Sequence, residues 1–162
     1  MVNDMSTVIG ITAIVIALLT AGILLWQTRF ATRVQALLQC DSEWRSDKMC
    51  SIRRKAASAL LSGESTADVD RLLDFFETIA GLFVKRHGLF RVLPDRWARH
   101  TFYWPAVCYW SKSRDYIDDV RSMPTQQAAW KDLCELMHRW TACEGAPSAE
   151  DVQTFLTDEK NA

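Results

Sequence analysis

The residues best suited to chemistry lie in two short stretches. Asp70, Asp74 and Glu77 are spaced so that a helix brings all three to one side. Carboxylates grouped in this way can move protons or hold a hard cation. The second stretch is Glu135-Leu136-Met137-His138, an acid and an imidazole at i and i+3. Di-iron helical bundles use that spacing, because the two side chains project together into a core. Such a centre needs a second pair and further glutamates. His87 and His100 do not supply it, since Val84 and Trp97 stand where Glu would be needed. A membrane-tethered hydrolase or metal-binding bundle on Asp74, Glu77, Glu135 and His138 is therefore the alternative reading. The main reading gives Glu135 and His138 to a polar surface, and no metal or cofactor is expected. The three acids then form the solvated side of an amphipathic helix. Glu77, directly after Phe75-Phe76, is the one drawn inward, toward an arginine such as Arg53 or Arg54.

Other catalytic signatures are missing from the sequence. Cys40, Cys50, Cys108, Cys134 and Cys143 contain no CxxC pair, so they read as reduced packing thiols and not as a zinc site. Neither a nucleophile elbow nor a Gly-rich phosphate loop occurs. No catalytic residue and no small-molecule substrate is expected.

Aromatic residues suggest binding instead. Trp and Tyr are dense between Trp97 and Trp110, around Pro105. A proline inside a helix removes a backbone donor and crowds the preceding turn, which predicts a kink or break near Tyr103–Trp104. A kinked helix cannot turn every ring to one core. Tyr103, Trp104, Tyr109 and Trp110 are therefore the expected interaction surface, since Trp and Tyr are enriched at binding hot spots. The basic run Arg53-Arg54-Lys55 reads as solvated side chains.

The elements that must position these residues are all helical. The strongest signal is Val8 to Trp26, uncharged, with Thr12 and Thr20 as its polar residues. As a helix it would rise ~28 Å, close to the hydrocarbon thickness of a bilayer. A cleaved signal peptide fits poorly, because no base precedes the apolar run and no small-x-small site follows it. All 19 Lys and Arg lie at Arg29 or later, and of the 20 acids only Asp4 precedes the span. The remainder is neutral, which argues against nucleic acid as a partner. Arg29 and Arg33 directly after the span place the C-terminal part in the cytoplasm, as a single-pass protein of the cell (inner) membrane. The expected partners are the membrane and another protein or a second copy of the chain.

The predicted organisation is all-α: residues 1–39 as tail, transmembrane helix and helical extension, residues 40–145 as a helical bundle, and 146–162 as a short last helix and tail. The extension carries an apolar stripe of Phe30, Val34, Leu37 and Leu38. A second helix is predicted over Ser42 to Leu61, ending at Gly63. A third runs from a Ser65/Asp68 capping box to Gly88, with Val69, Leu72, Leu73, Phe76, Ile79, Ala80 and Phe83 as its core stripe. A fourth starts at Leu93-Pro94-Asp95 and breaks before Pro105. A fifth runs on to Ser122, and a sixth from Thr125 to Trp140 with Ala129, Leu133, Leu136, Met137 and Trp140 inward. Ser148 and Asp151 cap the last, through Val152, Phe155 and Leu156.

These residues also carry a resemblance. Trp44, Arg54 with Ala56-Ala57 and Leu60, the run Leu73-Asp74-Phe75-Phe76-Glu77 with Ile79-Ala80, and Trp97 and Trp110 resemble a bacterial family of small membrane-anchored helical proteins of unknown function. The likeness covers about residues 8–140. It implies one N-terminal span followed by a helical domain, and a structural role for Phe76 and Glu77. It implies no activity.

Overall fold

The computed structural model describes the backbone of residues 2–84 and 92–162, and the side chains of residues 12–84 and 96–162. The described residues form seven helices and no strand: α1 (Val2–Trp44), α2 (Asp47–Ser62), α3 (Ala67–Val84), α4 (Val92–Lys112), α5 (Arg114–Ser122), α6 (Lys131–Glu144) and α7 (Ala149–Asn161). The all-α expectation, one long apolar N-terminal helix followed by a helical bundle, holds. The chain divides into two units, Met1–Leu38 and Gln39–Ala162.

In the first unit the apolar side chains from Ile14 to Trp26 are exposed. Leu18 is 68% exposed, Leu19 63% and Leu25 60%. The hydroxyls that interrupt this surface are satisfied locally. Thr20 donates to the Ile16 carbonyl at 2.8 Å, and Thr28 to that of Leu24 at 2.9 Å. Such back-bonding to the preceding turn removes the need for water as a partner. Trp26 stacks on Phe30, with ring centroids 5.9 Å apart.

The second unit is a bundle with its own core. α2 packs on α3 and α7, α3 on α6, and α4 on α3, α6 and α7. Every residue of the predicted α3 stripe is buried. The predicted end of that helix at Gly88 lies outside the described residues. α2 ends as expected at Gly63, whose φ of 78° no Cβ-bearing residue adopts easily. There the Glu64 N–H reaches the Ala59 carbonyl at 2.9 Å and the Gly63 N–H that of Leu60 at 3.4 Å, closing the helix end. α7 also starts as expected. The Asp151 N–H donates to the Ser148 hydroxyl, and the Ser148 N–H to the Asp151 carboxylate, both at 3.1 Å. The Ser148 hydroxyl, donating to the Asp151 carboxylate at 2.6 Å, and then the Ser148 N–H hold the Asp151 carboxyl below the usual carboxylate range.

Four boundaries differ from expectation. α1 does not end before the predicted second-helix start at Ser42. It continues to Trp44, and the cap falls to Ser46, whose hydroxyl accepts from the Met49 N–H at 3.2 Å. α3 starts at Ala67, one residue late for the Ser65/Asp68 box, and Asp68 instead meets Arg71 at 3.4 Å. Pro105 does not break α4, which runs through it to Lys112. The ladder bond it forfeits would have ended on the Thr101 carbonyl, and both residues lie on a half-exposed side where water can substitute. The break comes at the buried Ser113, between α4 and α5. Finally, α6 starts at Lys131 and not at Thr125. Its start is set from another helix.

Candidate functional site

The three α3 acids each hold a different part of the segment that follows α4. Tyr116 of α5 donates its hydroxyl to Asp70 Oδ1 at 2.6 Å. The Trp130 indole N–H donates to Asp74 Oδ1 at 2.8 Å. Glu77 accepts two backbone N–H groups at the start of α6, from Asp132 at 3.2 Å and Leu133 at 2.6 Å. The first amides of a helix have no partner within it, and the helix N-terminus favours a negative charge. Glu77 thus supplies from α3 the cap that Trp130, with no accepting side chain, cannot. Trp130 sits at φ 49°, a left-handed conformation unfavourable for a bulky residue by roughly 1–2 kcal/mol. Its indole bond and its contact with Tyr116, ring centroids 5.9 Å apart, hold it there. Burial, reinforced by the bond to Asp70, pushes the Tyr116 phenol up to about 12.

Glu77 therefore does not pair with Arg53 or Arg54. Arg53 forms a fork with Glu159 of α7, Nε to Oε2 at 2.7 Å and Nη2 to Oε1 at 2.9 Å. Both side chains are largely buried. The guanidinium lies 4.3 Å from the Trp44 ring centre and donates to the Trp44 carbonyl at 3.2 Å. The Tyr109 hydroxyl donates to the Arg53 carbonyl at 3.1 Å and approaches Glu159 Oε2 at 3.3 Å. One cluster thereby ties the end of α1 to α2, α4 and α7. Burial works against the charged guanidinium, yet the Glu159 carboxylate more than offsets it and the Arg53 pKa rises. Burial, with Glu159 adding to it, also raises the Tyr109 phenol far above its ordinary value.

The sequence places Arg53 in solvent or beside Glu77 and not against Glu159, and it gives Glu159 and Tyr116 no role. A signal existed for two of them. Arg53 stands four residues after Met49 and before Ala57 on the buried side of α2, and Glu159 extends the Val152, Phe155, Leu156 stripe of α7. A charge at a stripe position marks a buried partner.

Glu135 and His138 are both exposed on α6. His138 packs edge-on against Trp110, ring centroids 5.3 Å apart. The structure does not gather Asp74, Glu77, Glu135 and His138: among the described residues no three His, Cys, Asp or Glu side chains are placed to share a metal ion. A groove of 470 Å³ opens between Cys40 and Glu43, Met49 and Ile52, and Arg71 and Phe75. Its charges, Glu43 and Asp74 against Lys48 and Arg71, balance.

The expected aromatic surface is only partly one. Tyr109 is 0% exposed and Trp110 6%, so both belong to the core. The reason is that α4 does not stop at Pro105 and carries them inward between its neighbours. Tyr103 is half-buried, with its hydroxyl donating to the Gly145 carbonyl and its ring edge-on to Trp140. Trp104 is 43% exposed and Trp97, seven residues or about two turns earlier and on the same side, 37%. No protein family, curated protein or solved structure matches the chain, so the resemblance to small membrane-anchored helical proteins rests on the sequence motifs alone.

Proposed function

We propose that the chain is a single-pass membrane protein that acts by binding and not by catalysis, holding its helical bundle at the cytoplasmic face of the cell membrane to engage another protein or a second copy of itself. The observation that carries this reading is the N-terminal helix. It is long and apolar enough to cross a bilayer, and none of its apolar stretch is buried within the protein. Exposed Leu and Ile along a whole helix are costly in water and stable in lipid. Arg29 and Arg33 after the apolar run support the cytoplasmic side. The non-enzymatic part is supported by the way the acids are used. Asp70, Asp74, Glu77 and Glu159 are each engaged in holding one helix to another.

The test is topological. A reporter that fluoresces only in the cytoplasm is fused after Ala162, and a secretion-dependent enzyme reporter is fused at the same point in a second strain. The fluorescent fusion should be bright and membrane-bound, and the enzyme fusion silent. The reverse pattern, or a bright fusion recovered without membrane, would overturn the reading.

A further inference from the structure

Over its first turns α4 presents a face with both aromatic and basic character. Arg96, Trp97, His100 and Trp104 are all exposed. At 3.6 residues per turn they fall within an arc of roughly 100°. Farther along the same side Val107 and Cys108 are buried, so the face ends where the bundle closes over α4. Trp97 is braced from behind by Phe102, ring centroids 6.1 Å apart and nearly perpendicular, which fixes its ring. Arg99, beside the face, is engaged with Glu144 at 3.1 Å. The local sequence is basic as well: residues 85–100 hold Lys85, Arg86, Arg91, Arg96 and Arg99 against Asp95 alone, in a chain whose other residues carry more acids than bases.

We infer that this face of α4 rests on the anionic lipid surface of the membrane that anchors the chain. Three features favour lipid over a protein occupant. Trp is the residue best suited to the headgroup boundary, with an apolar ring and one N–H. Arg96 complements the negative potential of an anionic leaflet, and the His100 ring N–H can donate to its headgroup oxygens. The tether keeps lipid at high effective concentration beside the domain, so a small face with few contacts suffices. The inference rests on the membrane reading above and adds a second, reversible contact to it. The domain is then laid down in one orientation, which decides which of its other faces a protein can reach.

The experiment uses the full chain in nanodiscs of phosphatidylcholine, with and without phosphatidylglycerol, all with brominated acyl chains that quench nearby indoles. Trp26 serves as the internal reference for the anchor. Its quenching should be present in both lipids and lost in Trp26→Phe. Wild type should show additional quenching with phosphatidylglycerol, and this excess should vanish in Trp97→Phe/Trp104→Phe. It should also vanish in Arg96→Glu/His100→Glu, which keeps both indoles and the Phe102 contact, and at high salt. Equal quenching in the two lipids, with Trp97 and Trp104 open to aqueous acrylamide, would overturn the inference and leave the face to a protein. An excess that survives both double variants would overturn it too. Loss of the Trp26 signal itself would bring down the anchor and this contact together, so the two failures are distinguishable.

Discussion

α3 and α4 are both long and rich in aromatic residues, and they are built on different plans. In α3 the buried residues keep to one broad side, from Val69 to Phe83, while Asp70, Asp74 and Glu77 reach across to α5 and α6. α4 changes plan along its length. Up to Trp104 it has an outer face. From Ala106 to Trp110 every residue is buried. A helix with α3, α6 and α7 around it is enclosed and needs apolar side chains all round. The difference teaches that helical periodicity reports a boundary between core and water. It fades where a helix is most deeply enclosed.

Three tests press on this comparison. Phe76 is 1% exposed and packs against Trp44 and Phe75, both with ring centroids 5.5 Å away. Phe76→Ala should cost ~3–5 kcal/mol, through lost transfer energy and a cavity. Denaturant unfolding of the full chain in detergent micelles measures it, and a loss within experimental error would mean that the α3 side is not core.

The second compares two glutamates. Glu77→Gln removes the charge that accepts both α6 amides and should cost about 1–3 kcal/mol. Glu135→Gln, on the exposed side of α6, should stay within ~0.5 kcal/mol. If the two variants unfold alike, the acid row of α3 is ordinary solvated surface. The smallest effect is expected in the outer part of α4. Trp104→Ala should leave unfolding within ~0.5 kcal/mol of wild type. A loss near that of Phe76→Ala would erase the division within α4.

What the sequence made legible follows the same boundary. The apolar span, the α3 stripe, the Gly63 stop and the Ser148 cap are each encoded by residues close in the chain, and each was readable. Pro105 misled because its local penalty of roughly 3 kcal/mol is set against the burial of Phe102, Ala106, Val107 and Tyr109, which no local pattern reveals. The start of α6 was misplaced for a related reason. Thr125 follows Pro124 and resembles a local start, whereas the actual start depends on Glu77. The acids of α3 were recognised as a group, but their partners Tyr116, Trp130 and Leu133 lie far along the chain. The aromatic surface was half legible: density was visible in the sequence, and the sorting of Trp104 outward and Tyr109 inward required knowing what surrounds α4.

The cap that Glu77 places on α6 has a consequence for the order in which the bundle assembles. The two amides it binds lie 55 and 56 residues away in sequence. α6 therefore has no side-chain cap from its own N-cap residue to help its first turn nucleate, and nucleation is the unfavourable step in forming any helix. Its N-terminal turn gains the Glu77 cap only when α3 is docked against it. The pair should open and close as one cooperative unit, with the Leu133 amide exchanging its hydrogen at the rate at which α3 and α6 separate and not by fraying of a helix end.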